Sequence, residues 1–159
     1  MSTPTVKELL RDSLQKSKTM YLQDLEAMSH EHLSKSPGGS ARTPYDFTYE
    51  TAVVNRRIAK RLRGEDPGPP PFGEWPVAPP EFQDKDTAMK ELEASANDVI
   101  AGWDATPEHK LTEKIPLPKG ETSPLDMAKL AAVHMSYHDA QLNNHQAICG
   151  DDQVHWKQD

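Results

Sequence analysis

The sequence has few of the residues that several classes of protein require. Its 159 residues include one cysteine, Cys149, which excludes an internal disulfide framework and a zinc site built from several cysteines. Hydrophobic residues make up only 35% of the chain, and no stretch approaches the ~18 consecutive apolar residues of a membrane-spanning helix. Residues 1–7 lack the apolar core of a secretory signal. We therefore expect a cytoplasmic protein that does not bind membranes.

Basic residues are also scarce in this chain. Lys and Arg number 18 against 25 Asp and Glu, so the formal net charge is -7. Because non-specific binding to nucleic acid depends on a basic surface, we do not expect a nucleic-acid partner. The length predicts one domain over residues 1–159, since domains typically contain about 100–200 residues. A chain of this size can bury one hydrophobic core.

Apolar residues do recur at helical spacing, in four segments of the chain. These segments cover residues 5–28, 43–64, 84–103 and 123–150. The second and fourth begin with a capping residue followed by proline, at Thr43-Pro44 and Ser123-Pro124. Residues 67–80 contain seven of the fourteen prolines, and residues 106–122 could form a short edge strand or an extended loop. The pattern predicts an all-α fold, a four-helix bundle with long crossover connections.

The fourth predicted helix carries polar residues along its packed face. Its positions at steps of three and four are Met127, Ala131, His134, His138, Gln141, His145 and Ile148. His134 and His138 lie one turn apart, and burying them without partners would cost about 1–3 kcal/mol each. Two imidazoles at this spacing can chelate one metal ion; hydrogen-bonded core histidines are the alternative interpretation. Met135 stands where a zincin has glutamate, which disfavours a metalloprotease.

A metal site needs a third ligand, and Glu50 on the second predicted helix is the best candidate. It lies on an apolar stripe between Phe47 and Val54, where a carboxylate requires a partner. The alternatives are a salt bridge, for instance to an arginine, or a place at the edge of the stripe. Weaker candidates for the ligand, further from that stripe, are Asp46, Tyr49 and Asn55.

Two further polar residues of the fourth helix have predicted supporting roles. Gln141 is placed to hydrogen-bond a ligand imidazole and so fix its tautomer. His145 lies one turn further along, within reach of the site, and we expect it to support a ligand or to cap the helix instead of binding the metal.

Taken together, these features resemble the DinB superfamily, metal-binding four-helix bundles that include thiol-dependent S-transferases. In layout the resemblance covers nearly the whole chain. The residues that carry it are Leu125-Asp126, His134, His138, Gln141-Leu142, Gly150 and Trp156, with the segment from Thr43-Pro44 to Leu62. The family often has a histidine about six residues after that proline, and the corresponding position here is Glu50.

The resemblance implies a divalent metal ion held by His134, His138 and Glu50, with zinc or nickel preferred over manganese or iron. It also implies a homodimer and a small-molecule substrate, such as a low-molecular-weight thiol. Residues that would orient this substrate are Gln141, Tyr137 and Tyr49. The ligand set resembles the two-histidine, one-carboxylate triad, which leaves coordination positions open.

Three functions remain as interpretations of the sequence. The first is a metal-dependent enzyme, a thiol S-transferase or a hydrolase, that activates a small thiol or water. The second is a non-catalytic bundle in which a metal or ligand serves stability or sensing. In the third, the protein acts on partners through residues 67–80, and the histidines form only a buried hydrogen-bond network.

Overall fold

Helices account for most of the computed structural model, which describes residues 2–157; the ends of the predicted domain, Met1, Gln158 and Asp159, lie outside the described residues. The helices are α1 (Val6–Ala27), α2 (His30–Leu33), α3 (Pro44–Leu62), α4 (Lys85–Ala105) and α5 (Pro124–Ile148). Two 3₁₀ turns, Pro80–Phe82 and Glu108–Lys110, and two short strands, β1 (Ile115–Pro116) and β2 (Glu121–Thr122), complete the fold. The all-α prediction is confirmed.

The capping residues identified in the sequence begin the helices that carry the polar residues. At α3, the Thr43 side chain accepts from the Asp46 amide while the Asp46 side chain accepts from the Thr43 amide. At α5, the Ser123 side chain accepts from the Asp126 amide. In both helices proline follows the cap, where its missing N–H costs no helical hydrogen bond. These local contacts explain why the two helix starts were predictable.

The four long helices run in an up-down-down-up arrangement. The parallel pair α3 and α4 packs closely, with Leu62 beside Gly102 near the ends of both helices. The helices α1 and α5 are also parallel, and Ser17 Oγ lies 3.0 Å from Ser136 Oγ across their contact. Because α3 and α4 run in the same direction, the connection over residues 63–84 must return along the length of the bundle.

This long connection contains the proline-rich residues 67–80, called the proline segment below. It forms neither a strand nor an α-helix, and its last proline opens the 3₁₀ turn Pro80–Phe82. Hydrogen bonds fasten it to α3: Arg57 donates to backbone carbonyls at its start, and the Ala78 amide donates to Asp46 Oδ1 at 2.8 Å. The proline segment is therefore held against the helix that carries Glu50.

Some details differ from the sequence-based expectations. The four-residue helix α2 was not predicted. For residues 106–122, where a short strand or an extended loop was expected, the structure has two short strands, β1 and β2, that form an antiparallel hairpin. Ile148, expected on the packed face of the fourth helix, is exposed because it is the last residue of α5. Within residues 2–157, we find no helix with the length and apolar character needed to cross a membrane.

A buried pair of carboxyl groups joins α1 to α5. Asp24 is fully buried and Asp139 nearly so. Asp24 Oδ2 accepts from Asn143 Nδ2 at 2.6 Å and from Trp156 Nε1 at 2.7 Å. The Oδ1 atoms of both aspartates are buried with no partner among the described residues, and a proton on Asp139 would allow the two carboxyl groups to form a hydrogen bond. Burial, together with the hydrogen bond to Asp24 and the charge of that carboxylate, raises the pKa of Asp139 to about 8.

Because the pKa of Asp139 is raised, we predict that its carboxyl group lowers the free energy of unfolding as pH rises. The unfolded chain releases this proton near its ordinary pKa of 3.8, whereas the folded chain keeps it until about pH 8. The free energy of unfolding therefore loses this contribution progressively across that window. Asp139→Asn retains a donor toward Asp24 but cannot titrate. We expect its melting temperature, relative to the parent protein, to increase from pH 5 to pH 8 in the presence of a chelator. A difference that is constant or shrinks with pH would contradict this assignment.

Candidate metal centre

The centre of the site is the contact between the middle of α5 and the first half of α3. His134 and His138 lie one turn apart on α5, with their Nε2 atoms 3.1 Å from each other. Glu50 of α3 faces both rings: its Oε1 is 3.7 Å from His134 Nε2, and its Oε2 is 3.6 Å from His138 Nε2. The ligand atoms of these three residues lie within 4.8 Å of one another, and no other group of three or more His, Cys, Asp or Glu in residues 2–157 converges in this way.

His138 is the most firmly held of the three side chains. Its ring stacks on Phe47 at a centroid distance of 5.4 Å and an interplanar angle of 8°. Its Nδ1 donates to Gln141 Oε1 at 2.7 Å, because an amide oxygen can only accept. The proton is thereby placed on Nδ1, which leaves the Nε2 lone pair directed toward His134 and Glu50. This is the tautomer that a metal ligand requires.

The surroundings keep both imidazoles neutral. Burial and the neighbouring His134 lower the pKa of His138 to about 4. Burial also lowers the pKa of His134, against the opposing effect of Glu50. Near neutral pH, both rings are therefore neutral, and protons compete only weakly with a cation for their nitrogens.

The donor set fits a divalent cation. Two imidazole nitrogens and a carboxylate face one volume, and the 3.1 Å contact between the two Nε2 atoms requires a proton on His134 Nε2 in this arrangement. Glu50 depends on Arg42 for its ion pair. A cation would bind all three groups once the His134 proton moved to Nδ1, which has no partner among the described residues. Imidazole and carboxylate ligands suit zinc, nickel, manganese and iron alike.

Arg42 is a member of the site that the sequence did not reveal. Its Nη1 forms an ion pair with Glu50 Oε2, and the arginine side chain is only 11% exposed. The guanidinium also lies over the ring of Trp75, 4.6 Å from the ring centroid, so the proline segment covers it. Glu50 thus has both the position expected of a ligand and the arginine salt bridge considered for it. Arg42 would compete with a cation for the charge of this carboxylate.

The other residues singled out in the sequence fall into two groups. Gln141 and Tyr137 join the site: Gln141 Nε2 donates to the Tyr137 hydroxyl at 3.5 Å, and the Tyr137 ring contacts His138 edge-on. Tyr49 instead packs against Phe72 and Phe82, on the side of α3 that faces the proline segment. Its predicted role in orienting a substrate stays a prediction.

The weaker ligand candidates have other partners. Asp46 caps α3 and accepts from the proline segment, while Asn55 donates to Ser95 of α4. His145 Nε2 donates to the His32 carbonyl at 2.8 Å, so this histidine fastens α2 to α5. Among the described residues it makes no hydrogen bond to Glu50, His134 or His138, so the contact differs from the expected support of a ligand.

The fold and the site together define a class of protein, namely a helical bundle with a histidine–carboxylate site between two of its helices. The sequence pattern of the DinB superfamily matches residues 13–142. The chain therefore belongs to the DinB superfamily, as its motifs indicated.

Comparison with solved structures supports the same fold. A conserved protein from Enterococcus faecalis, known from a crystal structure, superposes with a TM-score of 0.72 at 15% sequence identity. The match covers 92% of this chain and 98% of that one. At this identity the likeness shows the fold alone. No functionally curated protein matches the chain.

Replacing Arg42 should strengthen metal binding. Arg42→Gln removes the competing charge but retains a hydrogen-bond donor for Glu50 Oε2. We expect the affinity for Zn²⁺, measured by calorimetric titration, to increase about tenfold or more. Arg56→Gln is the matched control, because it removes the same charge from a more exposed ion pair with Glu91. Equal effects of the two substitutions, or weaker binding by Arg42→Gln, would refute the competition.

Replacing Gln141 should weaken metal binding through His138. Gln141→Leu removes the acceptor that fixes the His138 tautomer, and losses of such supporting partners cost about 10–100-fold in metal affinity. Gln141→Glu keeps an acceptor at the same place and is the rescue variant. We expect Zn²⁺ affinity to fall in the first variant and to be retained in the second. Unchanged affinity in Gln141→Leu would show that the hydrogen bond does not orient the ligand.

Proposed function

We propose that Glu50, His134 and His138 bind one divalent cation, zinc or nickel in preference to manganese or iron, and that the protein is a metal-dependent enzyme. The observation that carries the proposal is the convergence of three donor atoms from two helices within 4.8 Å of one another. Three protein ligands leave coordination positions for a substrate, as catalytic sites require.

A cation held here would lower the pKa of a bound small thiol or water and make it a nucleophile for group transfer or hydrolysis. The residues of the chain have supporting roles in this chemistry. Gln141 and Phe47 hold the His138 ring, and Arg42 holds one oxygen of Glu50. Tyr137, with an exposed ring beside His138, is the group best placed to orient a small-molecule substrate.

One observation favours the non-catalytic alternative. The side chains of His138, His134 and Glu50 are only 1%, 17% and 19% exposed, which leaves little access for a substrate. In this alternative the cation joins α3 to α5 and serves stability or sensing. Binding of a cation to the folded state alone would stabilise the protein by about 2.7 kcal/mol at a concentration of 100 times the dissociation constant.

We also propose, from the family resemblance alone, that the protein forms a homodimer in the cytoplasm and that its substrate is a low-molecular-weight thiol.

Metal analysis and titration test the proposed binding. We expect the purified protein to contain, or to take up, one divalent ion per chain. His134→Ala and His138→Ala should each weaken Zn²⁺ binding at least about a hundredfold, because each removes one of three ligands. His109→Ala is the matched control, since His109 is exposed in the 3₁₀ turn Glu108–Lys110. A protein that contains no metal and does not respond to added zinc, nickel or manganese would refute the proposal.

Assays of turnover then distinguish the metal-dependent enzyme from the structural or sensing role. Assay of the metal-loaded protein with a panel of thiols and electrophiles, and with hydrolysable esters and amides, should show an activity that His134→Ala abolishes. An increase in melting temperature on metal addition, without turnover of any compound in the panel, would favour the structural or sensing role instead.

A further inference from the structure

A cavity separate from the candidate metal centre lies at the end of the bundle where α3 and α4 end and α5 begins. It is an open cleft of about 1070 Å³. The last turns of α3, the start of the proline segment and the β1–β2 hairpin form its walls. None of Glu50, His134, His138 and Arg42 lines it, so the cleft is separate from the metal centre.

The charge of this cleft is opposite in sign to that of the whole protein. Its lining includes five basic residues and three acidic residues, Glu65, Asp66 and Glu113, in a chain with a formal net charge of -7. The basic residues are Arg57, Arg61, Arg63, Lys110 and Lys114. A basic concave surface on an acidic protein favours an anionic ligand over a cationic one.

Four of these basic side chains already have partners. Arg57 donates to the carbonyls of Pro67, Gly68 and Pro69 and so shapes one wall. Arg63 pairs with Glu65 and Asp98. Lys114 lies 3.0 Å from Glu121, and Lys110 lies 3.9 Å from Glu113. These contacts shape the cleft and occupy hydrogen-bond donors of the four side chains.

Arg61 differs from the other four, since within residues 2–157 its side chain makes no hydrogen bond and no ion pair. It follows Arg57 by one helical turn on α3, and both line the cleft. Leu62, Ile115 and Leu117 line the same cleft and provide apolar surface, together with prolines from both walls. Among the described residues, the cleft thus offers one unpaired guanidinium and an apolar surface.

From these observations we propose that the cleft binds a small organic anion, with its carboxylate, phosphate or sulfonate on Arg61 and its apolar body against Leu62 and Leu117. A guanidinium presents a planar set of donors suited to such anionic groups. The apolar wall supplies the remaining affinity, as in most small-molecule sites.

Fluorescence titration with 8-anilinonaphthalene-1-sulfonate, an aromatic sulfonate, tests this site. Arg61→Gln should weaken binding of the dye about tenfold, the loss expected for one hydrogen bond between charged groups. The matched control is Lys60→Gln, which removes one positive charge from the adjacent exposed position outside the cleft. Melting temperatures of both variants should match the parent protein. Equal dye affinity in the two variants, or a dye that does not bind the folded protein, would overturn the proposal.

Displacement of the dye by competing compounds separates the contribution of the anionic group from that of the apolar body. Phenyl phosphate should displace the dye at a concentration at least about tenfold lower than either phenol or inorganic phosphate, because only phenyl phosphate combines the charge with the apolar body. Displacement by phenol as effective as by phenyl phosphate would show that Arg61 has no part in binding and would overturn the assignment. Unchanged dye affinity in the presence of a chelator is expected, since the metal centre is separate.

Discussion

The interactions of the Glu50 carboxylate with groups on both of its sides organise the central part of the bundle. Two neutral imidazoles of α5 face it from one side, and the guanidinium of Arg42 pairs with it from the other. A carboxylate that is mostly buried needs compensating charge or hydrogen bonds. Arg42 supplies that compensation in the protein alone, and a divalent cation between Glu50 and the histidines would supply it more fully. The balance between these two partners would set how strongly the proposed site binds a metal.

The topology of the chain makes this arrangement possible. Because α3 and α4 are parallel, the proline segment must run back along the bundle, and it places Trp75 over Arg42 on the way. The helix α5 carries two buried polar clusters, since consecutive residues point about 100° apart on a helix. His138 faces α3 and the candidate metal centre, whereas Asp139 faces Asp24 of α1. Part of the low hydrophobic content of the sequence therefore lies at the candidate site and at an inter-helix contact.

Local patterns made the helices and the three ligand candidates predictable. Capping residues at Thr43 and Ser123 and the spacing of His134 and His138 are properties of short segments, and the structure retains them. Glu50 could be identified because a carboxylate on an apolar stripe needs a partner.

The features that could not be predicted depend on tertiary contacts. Arg42 precedes the cap of α3 and meets Glu50 through a turn and the covering proline segment, so no helical spacing relates them. The Asp24–Asp139 pair depends on the parallel packing of α1 and α5, and α2 is too short to show a period. The absence of a partner for Arg61 within residues 2–157 became apparent only once the partners of its basic neighbours were known.

Anomalous diffraction from crystals of the zinc-loaded protein would test the central claim most directly. The account predicts one ion between α3 and α5, bound by a Glu50 oxygen and by Nε2 of His134 and His138 at about 2.0–2.2 Å. It also predicts that His138 keeps its hydrogen bond to Gln141. An ion bound elsewhere, with Glu50 still paired only to Arg42, would contradict the account.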